Sequence, residues 1–158
     1  MDIKNIKTLG QLKEINYKSK SIKEELRENL IKKISKKEIT FPGIIGYEDS
    51  VIPDTERALW SRHNILFLGL RGQAKTRMAR QMIDLLDEFV PVIEGSEVND
   101  DPFKPLSKYA RDLVKEKGDD TPISWLHRSD RYGEKLATPD VSVADLIGDI
   151  DPIKAANL

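Results

Sequence analysis

Gly69, Leu70, Arg71, Gly72, Gln73, Ala74, Lys75 and Thr76 have the types and spacing to hold a phosphate chain. They match the pattern GxxxxGK followed by Ser or Thr at its first Gly, its Lys and its Thr, and put Ala74 where the pattern has its second Gly. Glycines let backbone amides curl around phosphate oxygens, and a helix opening behind the loop turns its positive N-terminal end toward them. Lys75 would then neutralise the outer phosphates, and the Thr76 hydroxyl would ligate magnesium. Ala74 adds one methyl, which is tolerated at negative φ and strained in the left-handed region. A tight glycine turn beside a solvated lysine satisfies the same letters, so the surrounding elements decide between the two readings.

Those elements have the order strand, loop, helix. Ile65, Leu66, Phe67 and Leu68 form an uninterrupted apolar run between Asn64 and Gly69, the pattern of a strand buried on both faces in a parallel sheet. Behind the loop, Met78, Met82, Leu85, Leu86 and Phe89 recur at helical spacing until Pro91 ends the helix, and Val92 with Ile93 follows as a second strand. Further helices are expected over residues 56–61 and through Leu106, Tyr109, Ala110 and Leu113. Two more are expected to open at Thr121 with Pro122, and at Thr138 with Pro139 ahead of Val143 and Ile147, where a cap residue precedes Pro at the first helical position.

The first forty residues differ in charge from the rest, with eleven Lys or Arg against six acids there and fifteen against twenty-one afterwards. They read as helix. Thr8 with Gln11 and Ser21 with Glu24 have capping-box spacing, and Ile22, Leu26, Leu30, Ile31 and Ile34 form an apolar stripe that needs a surface to pack on. The basic face is interrupted by Glu24, Glu25 and Glu28 and carries no interleaved aromatics, so it reads as a solvated face rather than a nucleic-acid or lipid surface. Phe41, Pro42 and Gly43 break the helix and set a boundary, giving a helical extension at residues 1–40 and an α/β body at 41–158.

At 158 residues, 39% hydrophobic and 34% charged, the chain is long enough for one cored domain and too apolar for wholesale disorder. It contains no cysteine, which excludes disulfides, zinc ribbons and thiol catalysis. No spanning run or signal peptide is present, and a cytoplasmic location is the expectation.

The remaining chemistry-bearing residues read more plainly. Leu85, Leu86, Asp87 and Glu88 have the letters of an acidic strand, but their period assigns them to the helix behind the loop. The acids between Asp145 and Asp151 lack the apolar run such a strand needs. His63 and His127 have no carboxylate at metal-ligand spacing. Trp60 and Trp125 lie on apolar faces as core or contact residues, and Arg128 and Arg131 read as exposed arginines rather than as contacts to a neighbouring subunit's phosphates.

Ile44, Ile45 and Gly46 before a helix, the run ending at Leu68, and the loop from Gly69 to Thr76 together resemble the opening of an AAA+ ATPase core. Asp101, Pro102 and Phe103, and the stretch containing Ala137, Thr138, Pro139, Asp140, Leu146, Ile147, Gly148, Asp149, Ile150 and Asp151, are similar to magnesium-chelatase I-subunits and their MoxR relatives. Minichromosome-maintenance helicases of that superfamily also place Ala before the loop Lys. The resemblance implies an α/β P-loop NTPase fold with a three-layer core. It places Ile44, Ile45 and Gly46 on adenine, Gly69 through Arg77 on the phosphates, and Thr76 on Mg2+ beside ATP. It further implies a ring-forming homo-oligomer acting on a protein client, with the Walker B acids, sensors and arginine finger lying beyond Leu158, so that the chain is expected to be the N-terminal part of a longer ATPase. A nucleotide-binding interaction module without hydrolysis is the rival reading; a small-molecule kinase is disfavoured because no acceptor site is recognisable.

Overall fold

The computed structural model describes residues 5–136 and 138–149, excluding the side chain of Leu146. Ala137, Ile150 and Asp151, which carry part of the resemblance, lie outside the described residues. The helices and strands run in the order α1 (Leu9–Glu14), α2 (Ile22–Ser35), α3 (Val51–Trp60), α4 (Lys75–Gln81), β1 (Phe89–Ile93), α5 (Lys108–Lys117), β2 (Ile123–His127) and α6 (Val143–Ile147). Short 3-10 turns at Met82–Leu85 and Arg128–Arg131 follow α4 and β2.

Local chemistry starts the N-terminal helices. Thr8 caps α1 by accepting from the Gln11 amide, while the Gln11 side chain accepts from the Lys7 amide at 2.7 Å. Ser21 and Glu24 close a reciprocal capping box on α2. That helix buries Leu30 completely, together with Phe41, Ile44, Leu59, Met78 and Leu85, and Leu26 packs on the edge of the same cluster. The buried face is narrower than the apolar stripe suggests, since Ile22 is 53% and Ile34 39% exposed while the charged Glu25 is buried.

β1 and β2 pair antiparallel, with Phe89 opposite His127, Pro91 opposite Trp125 and Ile93 opposite Ile123. Pro91 is tolerated because each strand of a two-stranded ribbon has a free edge. A single bridge between Thr8 and Pro122 adds the chain ahead of α1 to this ribbon, with the Ile123 amide donating to the Lys7 carbonyl at 2.9 Å. A second cluster of Ile6, Leu12 and Ile123 forms there, sealed by Tyr17, Phe103 and Trp125.

Several expected elements are corrected. Thr121 and Pro122 open a strand, not a helix, because Thr121 is fully buried and its carbonyl accepts from the Leu9 amide. The helix behind the loop ends at Gln81 with one 3-10 turn, so Asp87 and Glu88 form a link into β1 instead of a helical face, and β1 begins earlier than expected, at Phe89. Ser142, not Thr138, caps α6, by a box with Asp145. Residues 65–68 belong to no strand; Ile65 and Phe67 rest on the core, and no neighbouring strand supplies hydrogen bonds to them among the described residues.

Two outcomes test this packing. Leu30→Ala should lower stability by about 2–5 kcal/mol in denaturant unfolding, the range for a buried Leu truncated in a tight core; a loss within error would mean α2 is not part of it. The Tyr17 phenol is pushed up to about 12 from an ordinary 10.0, by burial first and then by Asp87, Glu25 and Asp101. A group whose folded pKa is raised keeps its full stability contribution below the unfolded value and loses it as pH rises through the folded one. Thermal stability should therefore fall between about pH 10 and 12, and Tyr17→Phe should flatten that fall.

Candidate phosphate-binding site

α4 starts at Lys75, directly behind the glycine loop, and Ala74 is its cap residue at φ 55° and ψ 10°, in the left-handed region. This is the conformation the pattern reserves for glycine, so the methyl of Ala74 sits where it costs about 1–2 kcal/mol. Gly72 has φ 82°. At Gly69 a Cβ would lie 2.1 Å from the Gln73 side-chain oxygen, so a side chain there would displace the Gln73 amide.

Lys75 folds back over the loop. Its Nζ donates to the Gly69 carbonyl at 2.9 Å and also to the Leu70 carbonyl. The ammonium is thus parked on carbonyl oxygens at the loop's mouth, where incoming phosphate oxygens would offer better, charge-assisted partners. The backbone amides of Lys75, Thr76 and Arg77 have no acceptor among the described residues, as at any helix start. Residues 71–77 line an open cavity of about 470 Å³. Arg71, Lys75 and Arg77 make no ion pair among the described residues, which leaves three positive charges around it. The residues present therefore fit a polyphosphate, and the Thr76 hydroxyl offers a hard oxygen ligand of the kind magnesium takes beside phosphate.

The proposed adenine residues sit on the neighbouring wall. Gly43 approaches Arg77 so closely that a Cβ there would be 2.5 Å from the guanidinium, and the Gln81 amide donates to the Pro42 carbonyl at 2.8 Å. Those two contacts hold the segment before α3 against α4. Ile44 and Ile45 line a cavity of about 520 Å³ with Ile39, Phe41 and Ile52. Within it Ile44 is buried in the core, Ile45 is exposed, and Gly46 turns at φ 86° with its amide donating to Glu48.

Sequence reading missed one neighbour of the loop. Residues 132–136 cross the flank of α4, where Tyr132, Glu134, Lys135 and Leu136 share a cavity of about 330 Å³ with Phe67, Lys75, Thr76 and Ala79. Glu134 is clasped by Arg80 through bonds of 2.8 and 2.7 Å, and those donated hydrogen bonds hold its carboxyl below the usual range. No local pattern points from Glu134 to Thr76; only the return of the chain after β2 joins them. Arg131, in contrast, is consumed by a two-pronged pair with the buried Glu25, and Arg128 pairs with Asp84, so both serve the fold. His127 accepts from the Ser129 amide to start the turn after β2, and Trp125 donates to the Ile6 carbonyl.

Among the described residues no group of His, Cys, Asp and Glu is arranged to hold a metal ion, and no helix is long and apolar enough to cross a membrane. Comparison with protein-family models, with curated proteins and with solved structures finds no match to this chain.

The strained cap gives a direct test. Ala74→Gly should raise stability by about 1 kcal/mol, the left-handed penalty less glycine's extra chain entropy, or roughly 2–4 °C in melting temperature for a chain of this size. An unchanged or lower melting temperature would mean that Ala74 is not in the left-handed region in solution.

Proposed function

We propose that the chain is the ATP-binding part of an AAA+ ATPase of the magnesium-chelatase and MoxR kind, with an α/β P-loop core. In this reading ATP binding and hydrolysis by a cytoplasmic ring of subunits remodel a protein client. The observation that carries the proposal is the loop itself. Lys75 is held over the mouth of a turn whose second glycine position is left-handed, at the start of α4, with Arg71 and Arg77 beside it.

The roles follow from that placement. Residues 69–74 would wrap the β- and γ-phosphates with backbone amides, Lys75 would leave its carbonyl partners for the outer phosphate oxygens, and Thr76 would hold magnesium, which when bound neutralises phosphate charge. Arg77 would bridge the phosphates to the wall formed by Gly43, and the base would lie along Ile45 and the backbone at Gly46, since the Ile44 side chain is committed to the core. Glu134 is the carboxylate that shares a cavity with Thr76, and Arg80 occupies it, so the described residues support binding more directly than turnover. Binding is accordingly the property to measure first.

Calorimetry with ATP and magnesium should show one site per chain. Lys75→Ala should weaken it roughly 10- to 100-fold, the loss of charge-assisted bonds worth about 1.5–3 kcal/mol. Equal affinity for the two proteins would overturn the proposal.

A further inference from the structure

Tyr17, Phe89 and Trp125 come from separate parts of the chain to line one cavity of about 280 Å³, closed by Ile15, Asp87 and Glu88. The end of α1 places the tyrosine. Asn16 turns left-handed at φ 54°, its amide donating to the Lys13 carbonyl and the Tyr17 amide to the Leu12 carbonyl, both at 3.0 Å. That pair of bonds ends the helix and lays the Tyr17 ring on the cluster containing Leu12. The ribbon places the other two rings. Phe89 lies opposite His127, so Phe89 and Trp125 are diagonal neighbours on one face. Trp125 stands at 86° to Tyr17 with ring centroids 6.5 Å apart, while Phe103 stacks along Tyr17 at 6.3 Å and does not line the cavity.

We infer that this cavity binds a trimethylammonium group, held against the rings of Tyr17 and Trp125 and balanced by the carboxylates of Glu88 and Asp87. Aromatic faces attract a cation most where water is displaced. The local charge has the matching sign. Glu88 and nearby Asp101 make no ion pair among the described residues, and Lys20, 3.5 Å from Asp87, also bonds Glu28 at 2.8 Å. After burial, Asp87, Glu25 and Asp101 push the Tyr17 phenol up, with Lys20 opposing as the smallest of these effects, so the ring is neutral in a negative potential. Hydrogen bonding selects among cations. A primary ammonium or a guanidinium brings several N–H donors. Here they would meet largely apolar walls, an Asp87 oxygen already bonded by Asn29 at 2.8 Å, and an indole N–H that donates to the Ile6 carbonyl. A quaternary ammonium has no donor to satisfy. The volume lies below the roughly 300–1,000 Å³ of pockets for drug-sized ligands, which suits a headgroup. No lining residue is shared with the cavities at residues 71–77 or beside Ile45, so the inference is independent of nucleotide binding.

The probe is choline, and its controls are the neutral isostere in which carbon replaces nitrogen, and ethanolamine. In an NMR titration of the 158-residue protein, choline should shift the Trp125 indole and Tyr17 ring signals saturably. It should bind at least roughly tenfold tighter than either control. Glu88→Gln changes an exposed side chain, should keep the fold, and should lose roughly two- to fivefold in choline affinity. Tyr17→Leu, with folding checked by circular dichroism, should lose roughly tenfold; should it fail to fold, the isostere and Glu88→Gln decide alone. An acetylated peptide containing trimethyl-lysine separates the sources. Tighter binding than choline makes the occupant a protein side chain, and equal or weaker binding makes it a free small molecule. No saturable shift with choline or the peptide, equal binding of the isostere, unchanged affinity of Glu88→Gln, or shifts at Trp60 rather than Trp125 would each overturn the inference. The Lys75→Ala calorimetry reads a different cavity, so either result can fail alone.

Discussion

The buried carboxylate of Glu25 holds together parts of the chain that no local signal connects. Its two oxygens accept from both terminal nitrogens of Arg131, at 2.7 and 2.8 Å, and one oxygen also accepts from the Asp87 amide at 3.1 Å. With side chains only 3% and 11% exposed, the pair is largely removed from solvent. Desolvation cancels much of the attraction in such a pair, so its net contribution is small, but removing one partner strands a buried charge and costs about 3–5 kcal/mol. The geometry it imposes is therefore hard to escape: α2, the link before β1 and the turn after β2 are fixed to one point.

That point also explains why no helical turn continues past Leu85. In an uninterrupted helix the Asp87 amide would donate to the carbonyl four residues earlier; here it donates to Glu25. One turn further along α2, Asn29 donates to the Leu85 carbonyl at 3.0 Å and to the Asp87 side chain at 2.8 Å. Glu25 and Asn29, four apart on one face, thus take the donor and the acceptor that helical continuation would need, and Leu86 turns extended at ψ 153°. The apolar spacing from Met78 to Phe89 is a real helical pattern overridden by caps from a helix some sixty residues away, which the spacing alone could not reveal.

Legibility followed the range of the controlling interaction. The Ser21 and Glu24 box acts within one turn and was visible in the letters, as was α5, whose cap Ser107 accepts from the Ala110 amide at 3.1 Å. The candidate site was legible for the same reason, since residues 69–77 are contiguous. Thr121 and Pro122 show the limit. The same two letters can cap a helix or begin a strand, and the choice fell to the Leu9 amide and Lys7 carbonyl more than a hundred residues upstream. Asp100 was silent in sequence for a similar reason. Burial works against its charge, yet bonds from Ser107, Leu106 and Ser96 outweigh that and hold its carboxyl well below the usual range, ordering the loop between β1 and α5.

Satisfied and unsatisfied chemistry are distributed unevenly as a result. Glu25 and Asp100 have their acceptors filled by protein donors. Residues 64–77 are the opposite: among the described residues, amides without a protein acceptor, exposed leucines, a left-handed alanine and three cations without an ion pair follow one another within fourteen positions. Of these the left-handed alanine carries a backbone penalty, and strain of this sort persists only where the surroundings over-determine it. Here the surroundings are Met78 and Leu85 on one side and Ile65 with Phe67 on the other, all anchored in the same cluster as Leu30. The core thus holds the strained cap of α4 in place through the side chains on either side of it, Met78 and Leu85 behind the loop and Ile65 with Phe67 ahead of it.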